Sequence, residues 1–447
     1  MKRGLYIYVM LLFVGFVQAQ EKEMSLSLQE AIDYAIKNSY QNKTANNDIR
    51  AAEKRKWETT TIGLPQVSGN VNYQNNLKQA ISLLPAEITG GAPGTFTPVV
   101  FGTKQTMNGT VTLNQLLFDG SYLVGLQSAK TYLKISNQAK EKTELVTREA
   151  VINAYGNILV AEKSIEILER NKKVNARLLR SARIGYENGL AEQEEVEQFQ
   201  ITEGTIESSI RNANRMRDIA YQMLNLTLGN SIETKLTLKE TLEDLVLTNT
   251  DLNLLGQEFK LSNHIDFKIA ENTRESNRLL MQLEKSKALP SLSAFVNYGV
   301  AANSDSFSFF NGSQKWFQSS VFGVNLNIPI FSSMARSART AQATIALENS
   351  DIELEETKQR LNLQVKQARS NYQLSIENYE TAKKNLSLAE RIENKNQIKF
   401  KEGITTNFDL LQAQNQLYTQ QQNYIQSLLN VVTKKATLEN ALNIPIK

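Results

Sequence analysis

Residues 36–73, IKNSYQNKTANNDIRAAEKRKWETTTIGLPQVSGNVNY, align without a gap on residues 261–298, LSNHIDFKIAENTRESNRLLMQLEKSKALPSLSAFVNY, at an offset of 225. Asn38 meets Asn263, Lys43 meets Lys268, Asn47 meets Asn272, and Leu64-Pro65 meets Leu289-Pro290. The same repetition returns downstream, where residues 184–190, IGYENGL, face residues 398–404, IKFKEGI. A unit that recurs in one chain predicts one structural element set used twice.

Each Leu-Pro leads into strand-like sequence. Segments 67–74, 107–114, 292–300 and 322–328 alternate with period two. Val67, Gly69, Val71 and Tyr73 share one face of the first; Ser68, Asn70, Asn72 and Gln74 share the other. The second sets Met107, Gly109, Val111 and Leu113 against Asn108, Thr110, Thr112 and Asn114. The polar faces are neutral. An apolar face opposite a neutral polar face is the pattern of a membrane barrel strand around a watery lumen, and also of a half-buried strand in a soluble sheet. Residues 77–103 and 301–315 are rich in turn formers and read as surface loops.

The remaining segments are helical. Residues 26–57 carry Leu28, Ala31, Ile32 and Ala35 at helical spacing, and Ser27 with Glu30 fits a capping box. Neither Gly nor Pro interrupts 331–402 or 404–444. At 1.5 Å per residue those runs could reach roughly 100 Å and 60 Å. Residues 121–188 and 190–228 form the matching pair in the first repeat. Three-four stripes predict lengthwise packing: Val151, Ala154, Ile158, Ala161, Ile165, Leu168; Leu361, Val365, Ala368, Tyr372; and Phe408, Leu411, Asn415, Tyr418, Ile425, Leu429, Val432, Ala436.

The domain plan is thus a signal peptide at 1–19, a first repeat at 20–230, a linker at 231–256 and a second repeat at 257–447. Lys2 and Arg3 precede a short apolar run from Leu5 to Val17, followed by a cleavage-like Val17-Gln18-Ala19. No later run is long and apolar enough for a membrane helix. Without the signal the chain has 48 basic and 46 acidic residues, which gives no reason to expect a nucleic-acid partner. Cysteine is absent, which removes disulfides, thiolate metal sites and lipid attachment to a cysteine. The only histidine is His264, expected to be structural or solvated at a helix start. No glycine-rich phosphate loop is present. No enzyme, cofactor or metal is expected.

Four strands cannot close around a lumen, since a small filled barrel already needs about eight. Open edges are not tolerated in lipid. If these are membrane strands, several copies of the chain must close the barrel together.

The order and duplication of these segments resemble the TolC-like outer membrane efflux proteins, also called outer membrane factors. The resemblance covers nearly the whole mature chain. It is carried by residues 26–31 (LSLQEA), by Leu64-Pro65 and Leu289-Pro290, by residues 115–120 (QLLFDG) and 328–331 (IPIF), by the turns around Gly189 and Gly403, and by the ending from Leu438 to Pro445. It implies an α+β membrane protein: a homotrimer whose twelve strands form one barrel in outer-membrane lipid and whose long helices form a periplasmic tunnel. The implied role is an outer-membrane exit duct of a tripartite efflux pump or type I secretion system. Its partners would be a periplasmic adaptor and an inner-membrane transporter. The competing reading is a secreted structural coiled-coil protein without a pore.

The resemblance also points to site residues. The helix turns would form the periplasmic tip, with Glu195 and Asp409 lining the aperture and Tyr186 and Phe400 in closing contacts. The bends at Gly189 and Gly403, with Lys401, Glu402 and Ile404, would dock the adaptor. Family members often place a basic residue after the second glycine, where this chain has Ile404-Thr405-Thr406. Packing and weaker hydrogen bonds are therefore expected at the tip in place of an ion-pair gate. Acids in a first helical turn also offset the helix dipole, the alternative for Glu195 and Asp409 and the reading preferred for Glu192, Glu194 and Glu197.

Overall fold

The computed structural model describes residues 24–444. The signal peptide and Pro445 lie outside that range. In chain order the elements are β1 (Met24–Leu26), α1 (Leu28–Asn38), α2 (Tyr40–Thr61), β2 (Gln66–Asn75), β3 (Ile81–Pro85), β4 (Phe96–Val100), β5 (Gln105–Phe118), α3 (Gly120–Glu187) and α4 (Gln193–Leu228). The chain continues through β6 (Leu236–Leu238), α5 (Leu242–Asn249), α6 (Asn253–Gly256), α7 (Ile265–Ser286), β7 (Ser291–Ser304), β8 (Phe317–Asn327), α8 (Ala335–Lys401) and α9 (Asn407–Ala441).

Two compact units result, and each takes segments from both repeats. One holds residues 24–48, 137–270 and 354–444; the other holds 49–136 and 271–353. The unit boundaries fall inside α2, α3, α7 and α8.

The first unit is built on helices. Its core joins Ala31 and Ala35 of α1, Tyr155 and Ile158 of α3, Leu224 and Leu228 of α4, Leu242 of α5, Tyr372 of α8 and Leu428 of α9. The capping box at Ser27 and Glu30 starts α1. Glu240 supplies a second anchor there: its carboxylate accepts from the Leu28 amide at 2.9 Å and from the buried Tyr155 hydroxyl at 2.5 Å. Burial, with Glu240 close by, raises the Tyr155 pKa. The aperiodic segment 231–256 contains β6, which pairs in parallel with β1, and α5, which opens on a Thr241–Asp244 capping box. A three-residue strand is too short to show a period, so the sequence reads as a linker where the structure has packed elements.

The helix expected over 26–57 breaks at Ser39, whose ψ of 148° leaves the helical region. The Ser39 hydroxyl accepts from the Asn42 side chain at 2.9 Å, and Asn42 also donates to Thr147. Serine can offer the backbone such a local alternative to the helix.

The second unit is built on a four-stranded antiparallel sheet in the order β2-β5-β7-β8. The strands extend beyond the alternating cores read from sequence, to 14 residues in β5 and β7. The loop expected over 77–103 contains β3 and β4, an antiparallel ribbon closed by a 3₁₀ turn at Ala86–Thr89. Pro85 and Pro98 lie within it, and proline in a short run argues against a strand when only sequence is read.

Candidate functional site

Directly opposed residues of an antiparallel pair share a face. The register therefore sets one row as Val67, Leu113, Val296 and Phe322, and the next as Gly69, Val111, Tyr298 and Ser320. The other face carries Ser68, Thr112, Asn297 and Val321 in one row, with the Thr112 hydroxyl bonded to Asn297. None of the four strands contains Asp, Glu, Lys or Arg. The apolar face is bare in the single chain: Val71 is 73% exposed and Phe322 is 71% exposed. Phe295 crosses the other face at Gly323, where an added Cβ would stand 2.4 Å from its ring.

Among the described residues, both outer strands, β2 and β8, lack a partner on their far side. Near the distal end of β2, Tyr73 packs edge-on against Phe307 at 5.6 Å and Phe309 at 5.9 Å, both beyond the end of β7. Phe310 and Trp316 complete that aromatic group. At the opposite strand ends stand Phe118 and Phe331, both exposed.

The first unit presents the two helix turns, which use one hydrogen-bond pattern. The Leu190 amide donates to the Gly185 carbonyl at 2.8 Å, and the Ile404 amide to the Lys399 carbonyl at 2.8 Å. The Gly189 amide reaches Tyr186 at 2.9 Å, and the Gly403 amide reaches Phe400 at 3.1 Å. Both glycines hold positive φ, 73° and 67°. Leu190 and Ile404, the residues after them, are 85% and 72% exposed. Lys401 and Glu402 are exposed beside them.

Glu195 and Asp409 take matching places, the third residue of α4 and of α9, with opposite electrostatics. Asp409 belongs to a capping box. Its carboxylate accepts from the Thr406 hydroxyl at 2.7 Å, the Thr405 hydroxyl at 3.0 Å and the Thr406 amide at 3.3 Å. Those bonds, the Thr406 hydroxyl first, hold its pKa below the ordinary carboxylate value. The residue capping α4 is Glu192, whose side chain makes no capping bond, and partial burial pushes the Glu195 pKa up.

The matching aromatics also diverge. Tyr186 is exposed. Phe400 leans edge-on against the buried Phe199 at 6.1 Å, in a cluster with Leu178, Leu179, Val196 and Leu410. Asn407, one of the polar residues after Gly403 to which the sequence assigns no role, donates to Gln198 at 2.8 Å and so ties α9 to α4. The sequence reading placed the α9 stripe one position off near the turn. Phe408 is exposed, and the buried line runs Leu410, Gln414, Leu417, Gln421. Gln421 accepts from Asn171 of α3 at 2.8 Å. The visible signal was glutamine recurring at seven-residue spacing.

His264 is buried at the start of α7, and its Nδ1 accepts from the Asp266 amide at 3.2 Å. Among the described residues no group of three His, Asp or Glu side chains is placed to hold a metal, and no helix is long and apolar enough to cross a membrane.

The fold is shared with solved structures. The CusC channel superposes with a TM-score of 0.74 at 17% identity, over 93% of this chain and 91% of that one. VceC of Vibrio cholerae gives 0.72 at 14% identity, over 94% and 97%. The CmeC outer membrane channel of Campylobacter jejuni gives 0.71 at 16%, over 93% and 85%. No curated protein matches the sequence. The sequence does match the outer membrane efflux protein family over residues 31–230 and 259–443, which takes in both strand pairs and both helical turns. The chain therefore belongs to the outer membrane efflux protein family, as a transport protein of the outer membrane and not an enzyme.

Proposed function

We propose that three copies of this chain close one twelve-stranded barrel in the outer membrane, continued by a helical tunnel into the periplasm. The assembly serves as a passive exit duct. The carrying observation is the sheet: four uncharged strands, two open edges and an exposed apolar face. In lipid such edges must be paired, and the apolar face needs no further cover. Aromatic residues at and beyond both ends of the strands fit the interfacial girdles of a barrel. A secreted coiled-coil scaffold would leave that face and both edges unexplained.

The helix turns supply the periplasmic aperture and the docking surface for an adaptor, through which an inner-membrane transporter delivers cargo. Exposed Leu190 and Ile404 suit an apolar partner hairpin. Glu195 and Asp409 line the aperture in this reading, with Tyr186 and Phe400 beside them. Three copies would bring six carboxylates to one constriction, which favours cations. Capping by Asp409 does not compete with that role, since a capping carboxylate keeps its charge.

Single-channel conductance in a planar bilayer tests both parts, before and after Glu195→Gln with Asp409→Asn. Cation-selective openings that lose selectivity support pore and aperture. Openings indifferent to the change keep the pore and remove these acids from its constriction. A soluble monomer that never inserts defeats the duct.

A further inference from the structure

The ribbon formed by β3 and β4 has two unlike faces. Its register opposes Ile81 to Val100, Leu83 to Pro98 and Pro85 to Phe96. By the period of two, those six residues share one face, and it is wholly apolar and wholly exposed: Ile81 is 65% and Phe96 62% accessible. The opposite face sets Ser82 against Val99 and Leu84 against Thr97. There Leu84, Thr97 and Val99 are half-buried, and the Thr97 hydroxyl lies 3.2 Å from that of Thr89 in the returning turn. The chain thus partly covers its mixed face with its own turn, leaving Ser82 exposed, and leaves the apolar face bare. Between Lys78 and Lys104 the only charged residue is Glu87, and its carboxylate accepts from the Gly94 amide at 3.0 Å within that turn.

We propose that this face is a membrane-contact surface, lying against the acyl chains of the outer leaflet beside the barrel. The inference rests on the reading of the sheet as membrane-spanning. Continuity supports lipid as the occupant. The ribbon grows from the β2–β5 pair, with the Asn76 amide donating to the Lys104 carbonyl at 2.9 Å directly after the last sheet pair, Asn75 and Gln105. The ribbon therefore follows the β2–β5 pair through two short connections, residues 76–80 and 101–104. Proline argues against a second copy adding a strand here: Pro85 in β3 and Pro98 in β4 donate no backbone hydrogen bond, a usual guard on an edge. Exposed Lys78 and Lys104 stand where the ribbon leaves the sheet, placed to meet anionic headgroups while the apolar residues beyond them enter lipid.

The absence of cysteine allows single-site labelling. Leu83→Cys and Phe96→Cys report the apolar face, Ser82→Cys the other face and Val71→Cys the sheet. Each carries an environment-sensitive fluorophore in the full-length protein, reconstituted in vesicles of phosphatidylcholine and phosphatidylglycerol. The expected result is blue-shifted emission at 71, 83 and 96, lost to a nitroxide on the acyl chains and insensitive to aqueous iodide, while 82 responds to iodide. With position 71 quenched from lipid, iodide quenching at 83 and 96 means a water-exposed face, and quenching by neither agent means a face covered by protein; both overturn the inference. Failure of lipid quenching at position 71 itself removes the membrane-spanning sheet, and the ribbon contact falls with it.

Discussion

Gly189 and Gly403 stand in open space: among the described residues, none apart from their immediate chain neighbours comes within 4 Å of where a side chain would begin. Glycine is held there by φ alone, 73° and 67°. A β-branched residue in that left-handed region clashes with its own backbone, at a cost of roughly 1–2 kcal/mol. Gly403→Val should therefore lower the thermal midpoint, and an unchanged melt would mean that the turn adapts without strain. The neighbouring acids should respond in opposite directions. Burial disfavours the charged form of Glu195, so Glu195→Gln should stabilise the protein at pH 7, with the advantage vanishing as pH falls through the raised folded pKa toward the ordinary carboxylate value. Thr406→Ala removes the capping hydroxyl that Asp409 shares and should cost about 1 kcal/mol. Asp409, its pKa lowered, contributes stability above its unfolded pKa, lost as pH falls through the folded value. Parallel melts from about pH 2 to 8, which take in the Asp409 window below the ordinary aspartate value of about 3.9, would decide; equal responses at Glu195 and Asp409 would show that the repeat has kept one electrostatic role and not two.

At the scale of elements, the start of α7 depends on a neutral histidine. His264 Nδ1 can accept the Asp266 amide only without a proton. Burial lowers its pKa; Lys142, Lys268 and Arg360 push the same way, and Asp266 pushes against. The unfolded chain takes up that proton near pH 6.5, before the folded chain does. Stability should therefore fall as pH drops below about 6.5 and level off beneath the folded pKa. His264→Asn keeps a capping acceptor without titration, and should flatten that slope in denaturant titrations at pH 5 and 7.5. An undiminished slope would assign it to other groups. Other elements show why part of the fold was legible and part was not. The four sheet strands could be read because one face stays apolar over several periods, and the long helices because nothing interrupts them. The ribbon was hidden by its prolines, β6 by its brevity and the break at Ser39 by a local side-chain bond. At the turns, the duplication located the acids, but only the folded structure separates a half-buried Glu195 from a capping Asp409. The α9 seam was misplaced because glutamines fill core positions there, and periodicity weighs apolar residues alone.

At the scale of the whole molecule, the open edges decide the assembly. Within one chain β2 and β8 are separated by β5 and β7. At about 4.8 Å per strand spacing they stand roughly 14 Å apart, whereas a disulfide needs Cα atoms within about 7 Å. A cysteine in each edge strand therefore cannot bridge within the chain, and the native sequence has none to interfere. If three copies close one barrel, β2 of each lies beside β8 of the next, at Cβ separations of about 5 Å for opposed pairs. Cysteines scanned along β2 at Asn70, Val71 and Asn72, combined with Ser320, Val321 or Phe322 in β8, should then bridge between copies for the pairs in register. The resulting ladder should stop at three chains, because a closed ring leaves no edge for a fourth. Species larger than three would indicate open strand addition or a larger ring. Bridged dimers that never advance to trimers would indicate a two-copy contact, and the twelve-stranded barrel would have to be abandoned.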